Sequence, residues 1–230
     1  MVEVIFLKNR LDLIYEAASR LFINKGFART QVRDIAREIG LSTGMIYQYF
    51  SGKKDILSFI LKEAVNPGFF DHERQFPVTS GASGVFDHLE EEIKATFEKN
   101  QQDFDAHLKD QAADYSLEEM LSDAFDVIAN YAVSCLIIEH NEADLPELAH
   151  YYRDYRKRFF AQVQQYVDLY IEKNEFRKVE NTFYTTRAIV ESLAWWGMHV
   201  RYDAFETETD ISPEKAKEVC LDLLLHAYQA

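Results

Sequence analysis

Cysteine is scarce in this 230-residue chain: there are two, at 135 and 220. They lie far apart and have no metal-ligand spacing, which excludes a disulfide-stapled domain and a thiolate zinc site. Two reduced thiols are the expectation, and with them a cytoplasmic chain. Proline and glycine are also sparse, four and eight residues, so long stretches are free to run as helix. No apolar run approaches the roughly 18 residues that a membrane span needs. Residues 1–25 carry charges throughout, unlike a secretion signal. No glycine-rich phosphate loop, nucleophile elbow or zinc-helix spacing occurs, so neither a cofactor nor a metal nor catalysis is expected. His199 with Glu191 and His140 with Glu142 are isolated pairs without a nucleophile.

Positive charge is in deficit as well: 25 Lys and Arg stand against 39 Asp and Glu, for a net charge of −14. Taken whole, that opposes nucleic-acid binding, which needs cations to neutralise phosphates. The distribution changes the picture. Residues 1–60 hold nine Lys/Arg and six Asp/Glu, a net +3, leaving −17 for residues 61–230. Such asymmetry between segments is more informative than the total.

What is present is helical periodicity. Leu11, Ile14, Ala18, Leu21 and Phe22 form one apolar stripe, closed by Lys25-Gly26. Thr30 reads as the cap of a second helix that buries Val32, Ile35, Ala36 and Ile39. Gly40-Leu41-Ser42 is a three-residue turn, and Ser42 caps a third helix burying Ile46 and Phe50. A fourth helix runs from about Lys53 to Val65. Residues 66–84 contain Pro67, Gly68, Pro77, Gly81 and Gly84 and read as a loop. Further helices are expected at about 85–110, 117–140, 146–173, 181–203 and 213–228, with Pro146 and Pro213 as N1 prolines. The expected fold is all-α: a three-helix helix-turn-helix domain over residues 1–60, then a larger helical ligand-binding and dimerisation domain over 61–230.

The third helix is short and polar, and a three-residue turn sets it near-perpendicular to the second. Its outward face is read as Thr43, Gly44, Met45, Tyr47, Gln48 and Tyr49. Gln48 suits a bidentate contact to adenine, and Thr43 or Met45 suits a thymine methyl. Tyr47 and Tyr49 offer hydroxyls to phosphates. Lys53, in the first turn of the fourth helix, adds its charge to an anion site. Arg33 is placed to reach a guanine or a phosphate.

These residues resemble the N-terminal domain of the TetR/AcrR family of bacterial transcriptional regulators. The resemblance is carried by Gly26-Phe27, Val32-Arg33-Asp34-Ile35-Ala36, Gly40-Leu41-Ser42, Gly44, Ile46-Tyr47, Tyr49-Phe50, Lys53 and Asp55-Ile56-Leu57. It implies an all-helical homodimeric regulator with a variable ligand-binding domain. By position it implies DNA contacts from Gln31, Val32, Arg33, Ser42, Thr43, Gly44, Met45, Tyr47, Gln48, Tyr49 and Lys53. Val32 departs from the family pattern, in which many members carry a hydroxyl residue there. The expected partners are a double-stranded DNA operator, a hydrophobic small-molecule effector and a second copy of the chain; no membrane partner is expected.

One short reading helix gives too few base contacts for specificity, and a two-fold dimer doubles them. The last two helices are the expected interface, through Ile189, Leu193, Trp196 and Val200 on one and Val219, Leu223, Leu224, Ala227 and Tyr228 on the other. An effector pocket is placed among Tyr131, Tyr155, Phe159, Trp195 and His199. Two ligand classes compete. A lipophilic cation suits aromatic rings with Glu191, Asp126 or Glu139. An acyl-type ligand suits the basic cluster Arg153, Arg156, Lys157 and Arg158, and the expectation favours this hydrophobic or acyl-type effector. The alternative function is a helix-turn-helix architectural or partner-binding module without a ligand.

Overall fold

The computed structural model describes residues 2–70, 76–79, 88–110, 112–208 and 210–230, with side chains from residue 10 onward except that of residue 110. Eleven α-helices are described: α1 (Val2–Asn24), α2 (Val32–Glu38), α3 (Thr43–Ile46), α4 (Lys53–Val65), α5 (Leu89–Asp105), α6 (Leu117–Asn130), α7 (Ala132–His140), α8 (Pro146–Glu172), α9 (Thr182–Ala194), α10 (Val200–Tyr202) and α11 (Pro213–Tyr228). No strand occurs among the described residues, only isolated bridges pairing Phe50 with Val78 and Phe176 with Gln229. The all-α expectation holds. Part of the expected 66–84 loop and the expected helix start at 85, with Gly81 and Gly84, lie outside the described residues.

The residues group into two compact units, Met1–Ala95 with Val133–Ala149, and Thr96–Ala132 with His150–Ala230. This grouping by compactness differs from the expected division at residue 60.

In the first unit, Leu11, Ile14, Ala18 and Phe22 recur every three or four residues on α1 and are all buried, the spacing that keeps side chains on one helix face. They share the interior with Ile56, Phe59 and Ile60 of α4 and Ile35 of α2. Gly26 ends α1 with φ +87 and Gly40 follows α2 with φ +68, the left-handed conformation that glycine adopts without strain. The cap of α2 is Gln31, not Thr30. Thr30 is fully buried, and its hydroxyl donates to the Gly26 carbonyl at 2.8 Å. That bond fixes the turn and leaves the next residue to open the helix.

In the second unit, Phe104, Phe125, Tyr166, Tyr170, Phe176, Ile189 and Leu193 lie at the centre of one apolar cluster. Tyrosine hydroxyls anchor the connection between α5 and α6. Tyr166 donates to the Phe104 carbonyl at 2.5 Å, Tyr170 to the Tyr115 carbonyl at 2.8 Å, and Lys173 to the Ala112 carbonyl at 2.6 Å. Backbone that leaves regular structure thereby keeps its bonds away from water. Burial raises the Tyr115, Tyr166 and Tyr170 phenols well above their ordinary range. Cys220 is likewise pushed up to about 12 by burial, which leaves an inert thiol.

Two expected helices are interrupted. The 117–140 segment breaks at Tyr131 (φ −112, ψ 14); neither glycine nor proline marks that place in the sequence. The 181–203 segment contains a π-helical turn at Trp195–His199. A Cβ on Gly197 would lie 3.1 Å from Ile128 Cγ2 and 3.6 Å from the Ala129 nitrogen. The missing side chain lets α6 approach the π turn closely.

Candidate nucleic-acid interface and effector cleft

Helix α3 has four residues, of which Ile46 is the one that is buried. Ser42 caps it, its Oγ accepting from the Met45 N–H at 3.3 Å. A helix this short is fixed by its cap and its anchor, not by its own propagation. The rest of the segment is presented outward. Arg33, Ser42, Gly44, Tyr47 and Gln48 are exposed, and Thr43 and Met45 are half-exposed. Tyr47 keeps 48% of its surface, high for an aromatic side chain without a partner to meet. Gly44 has only the Ser42 Oγ, at 3.9 Å, near the place of a Cβ, so its backbone lies open to close approach.

Three residues of the expected contact set are used otherwise. Val32 is buried and packs inside the unit. Tyr49 is 7% exposed and turned inward, correcting its place on the outer face. Its ring meets Phe76 edge-on at 5.5 Å, and its hydroxyl accepts from Arg10 at 3.1 Å. Lys53 is turned back on the α1–α2 turn. Its Nζ donates to the carbonyls of Phe27 at 2.6 Å, Thr30 at 2.9 Å and Ala28 at 3.4 Å, and lies 4.2 Å from the centre of the Phe27 ring. The ammonium is a clamp on that turn.

Sequence reasoning missed the clamp because Lys53 completes a larger set. The last carbonyls of a helix have no partner inside it, and at the end of α1 they are satisfied from elsewhere. Leu21 accepts from the Lys25 N–H at 2.9 Å, Phe22 from Asn141 Nδ2 at 3.0 Å, and Ile23 faces His140 Nδ1 at 2.8 Å. Asp34 closes the other side of the turn. It accepts from the Gln31 N–H at 3.0 Å, from Lys25 Nζ at 2.5 Å and from Arg37 at 3.3 Å. The Lys25 bond, with the Gln31 N–H after it, holds the Asp34 carboxyl below its ordinary range.

The second unit holds a cleft of about 300 Å³ lined by Asn100, Asp103, Phe104, His107, Asp123, Asp126, Val127, Asn130 and Tyr131. Asp123 accepts from the Tyr115 hydroxyl at 2.8 Å, and Lys217 pairs with Asp126 at 2.6 Å. One ammonium against three carboxylates leaves the wall negative, beside the rings of Phe104 and Tyr131. Of the five expected pocket residues, Tyr131 lines this cleft. Tyr155 is buried against Phe97 at 4.9 Å and Phe159 against Phe104 at 5.4 Å. Trp195 is 47% exposed, and His199 pairs with Asp203 at 2.7 Å. The five do not converge, because helical spacing places an aromatic on a face without saying whether that face meets core, cavity or solvent.

The basic cluster on α8 is committed internally. Lys157 pairs with Asp154 at 3.0 Å, Arg158 bonds Glu98 at 2.9 Å and Gln101 at 2.8 Å, and Arg153 and Arg156 are engaged as well. The expected interface stripe also turns inward, since Ile189, Leu193, Val200 and Leu224 are buried. The apolar residues that α9, the π turn and α11 expose include Phe183, Tyr184, Ala188, Trp195, Leu223 and Ala227.

Residues 14–58 match the model of the bacterial regulatory proteins of the tetR family. The match covers 45 of the 230 residues, from within α1 to within α4. It is 40% identical over 70 residues to the HTH-type transcriptional regulator HbdR of Aromatoleum sp., across 30% of this chain and 29% of that protein. It is 40% identical over 50 residues to the fatty acid metabolism regulator protein of Bacillus subtilis, across 22% of this chain and 26% of that one. The chain thus spans less than a third of the length of these relatives. The fold extends further. The ketosteroid transcriptional regulator KstR2 of Mycobacterium tuberculosis superposes with a TM-score of 0.53 at 16% identity, over 96% of this chain and 95% of that one. These relatives are named as regulators, and the residues that match the tetR-family model run from α1 through α2 and α3 into α4. Among the described residues no His/Cys/Asp/Glu group could hold a metal ion, and no single helix is long and apolar enough to cross a membrane.

Proposed function

We propose that the chain is a sequence-specific transcriptional repressor that binds a double-stranded DNA operator as a homodimer and is released by a small molecule. The observation that carries this is the outward face of α3 and the turn that follows it: Gly44 on the helix and Tyr47 and Gln48 just after it stand exposed, on a helix held by one buried residue and one cap. Gly44 admits the groove wall, Gln48 suits an adenine edge, and Tyr47 and Arg33 suit phosphates. The dimer forms through the exposed face of α9, the π turn and α11. Tyr184, Ala188 and Trp195 recur at helical spacing there, with Leu223 and Ala227 on the neighbouring helix, an apolar grouping that a second copy would cover.

The effector enters the cleft of the second unit. Its three carboxylates, one lysine and two flanking rings suit an organic cation with an apolar body. The pairing of Lys157 with Asp154 and of Arg158 with Glu98 in the α8 basic cluster speaks against an acyl-CoA phosphate there. Occupancy lowers operator affinity only by the difference in effector affinity between DNA-bound and free forms.

Selection of bound sequences from random duplexes tests the reading. The expected product is a palindromic site with half-sites about 34–36 Å apart or a multiple of that. Absence of any enriched sequence would refute it. Titrating the selected complex with benzyltrimethylammonium and with palmitoyl-CoA separates the effector classes. Release by the cation is expected, and release by palmitoyl-CoA alone would restore the acyl ligand.

A further inference from the structure

Asn141 lies 114 residues from Phe27 in sequence, yet its side chain is built into the end of α1. Its Oδ1 accepts from the Phe27 N–H at 2.5 Å. Its Nδ2 donates to the Phe22 carbonyl at 3.0 Å and to the Ile137 carbonyl at 2.8 Å. The side chain is 3% exposed, and its amide is satisfied on both sides. Oδ1 also lies 3.7 Å from the place of a Cβ on Gly26, where φ is +87. His140, the preceding residue, bonds the next carbonyl of α1, that of Ile23. That bond requires the proton on Nδ1, because a carbonyl can only accept.

These bonds join three pieces of backbone. They tie the C-terminal turn of α7, through Ile137, to the last turn of α1, through Phe22 and Ile23, and to the first residue of the turn that leads into α2. The carbonyl of that same Phe27 is held by Lys53 from α4. The position of α2 and α3 on α1 is therefore set at a junction whose far side is α7. Helix α7 begins one residue after Tyr131, which lines the cleft.

We propose that Asn141, assisted by His140, is the positioning residue that fixes the angle of the reading head to α7 and so sets the operator half-site spacing the dimer accepts. A plain stabilising contact would raise affinity for every site alike. An angular latch makes affinity depend on spacing, because one inserted base pair moves a half-site by about 3.4 Å and turns it by about 35°. The proposal rests on the homodimeric reading above.

The test is a series of duplexes carrying the selected half-sites at the selected spacing and at one base pair more or less. Binding by wild type, Asn141→Ala and His140→Ala is measured by fluorescence anisotropy, with Leu121→Ala as a core variant matched for lost thermal stability. Wild type is expected to prefer its own spacing by about tenfold or more, a difference of one decade in Kd. Asn141→Ala is expected to lose most of that preference, His140→Ala part of it, and Leu121→Ala none. Equal preference in wild type and in both variants at the junction would overturn the latch. Should Asn141→Ala not fold, the His140→Ala result decides alone. If wild type itself ignores spacing, the dimeric reading fails, and the latch as stated fails with it.

Discussion

The two units are held together in different ways. The second is fastened by large buried rings: Phe104, Phe125, Tyr166, Tyr170 and Phe176 lie in one cluster, and two of its tyrosines also bond backbone carbonyls. In the first unit, the junction between α1 and the reading segment adds single polar side chains to a smaller apolar contact, Phe22 on Phe27 at 5.3 Å. Thr30, Lys53, Asn141 and His140 each bond a carbonyl of α1 or of the turn after it. Ring packing is spread over dozens of contacts of about 0.1–0.2 kcal/mol each and resists any one change. A polar junction concentrates its energy in a few bonds, each net about 0.5–1.5 kcal/mol, or 1.5–3 to a charged group. A regulator needs its reading head on the second kind of support, so that a small free energy can shift it.

The largest expected effect breaks the comparison from outside. Trp195→Asp with Leu223→Asp places two carboxylates in the exposed apolar face and should yield a monomer in sedimentation velocity. Operator affinity should then fall toward the non-specific level, roughly a thousandfold or more. A dimer that persists would move the interface elsewhere.

Lys53→Ala addresses the junction itself. Its loss removes three bonds to the carbonyls of Phe27, Ala28 and Thr30, and should lower stability by about 1.5–3 kcal/mol, visible as a fall in Tm. The opposite pattern, an unchanged Tm with a salt dependence of DNA binding reduced by about one unit of slope, would make Lys53 a phosphate ligand.

Gln48→Ala leaves the junction untouched and should relax sequence choice at one base pair, by about 1–3 kcal/mol of discrimination. Affinity profiling against single-base variants of the selected site reads this. Uniform weakening across all sites would mean that Gln48 positions and does not specify.

The smallest effect is with acid. The Lys25 bond lowers the folded-state pKa of Asp34, so this carboxylate stabilises the head above its unfolded value near 3.9. The contribution is lost as pH falls through the lower folded value. Asp34→Asn should flatten the acid dependence of unfolding below about pH 4. Parallel wild-type and variant curves would contradict the assignment.

How much of this was readable beforehand follows from the range of each interaction. Local signals were legible: the stripe Leu11, Ile14, Ala18 and Phe22, the Ser42 cap, and Pro146 and Pro213 at helix starts all act within one or two turns. Sequence pattern did not reveal that Lys53 and Asn141 share a turn, since their partners lie 26 and 114 residues away. The direction of an aromatic was legible only where one face was clearly polar. Tyr47 came out exposed, but Tyr49, two residues on, turned inward, and Ile189 and Leu193 faced core and not a partner. The cleft was least legible. Its wall combines Asp103, His107 and Asp126 from separate elements, and Tyr131 enters it only because α6 breaks there without a glycine or proline.

The most direct test of the contrast between the units is amide hydrogen exchange, with and without the selected operator duplex. Amides of residues 27–50 should exchange through openings of lower free energy than those of Tyr166, Val167, Ile189 and Leu193, and should slow markedly when the duplex is added. Equal protection in both regions, or a head whose exchange ignores the duplex, would contradict a reading head held by a few polar bonds and engaged by DNA.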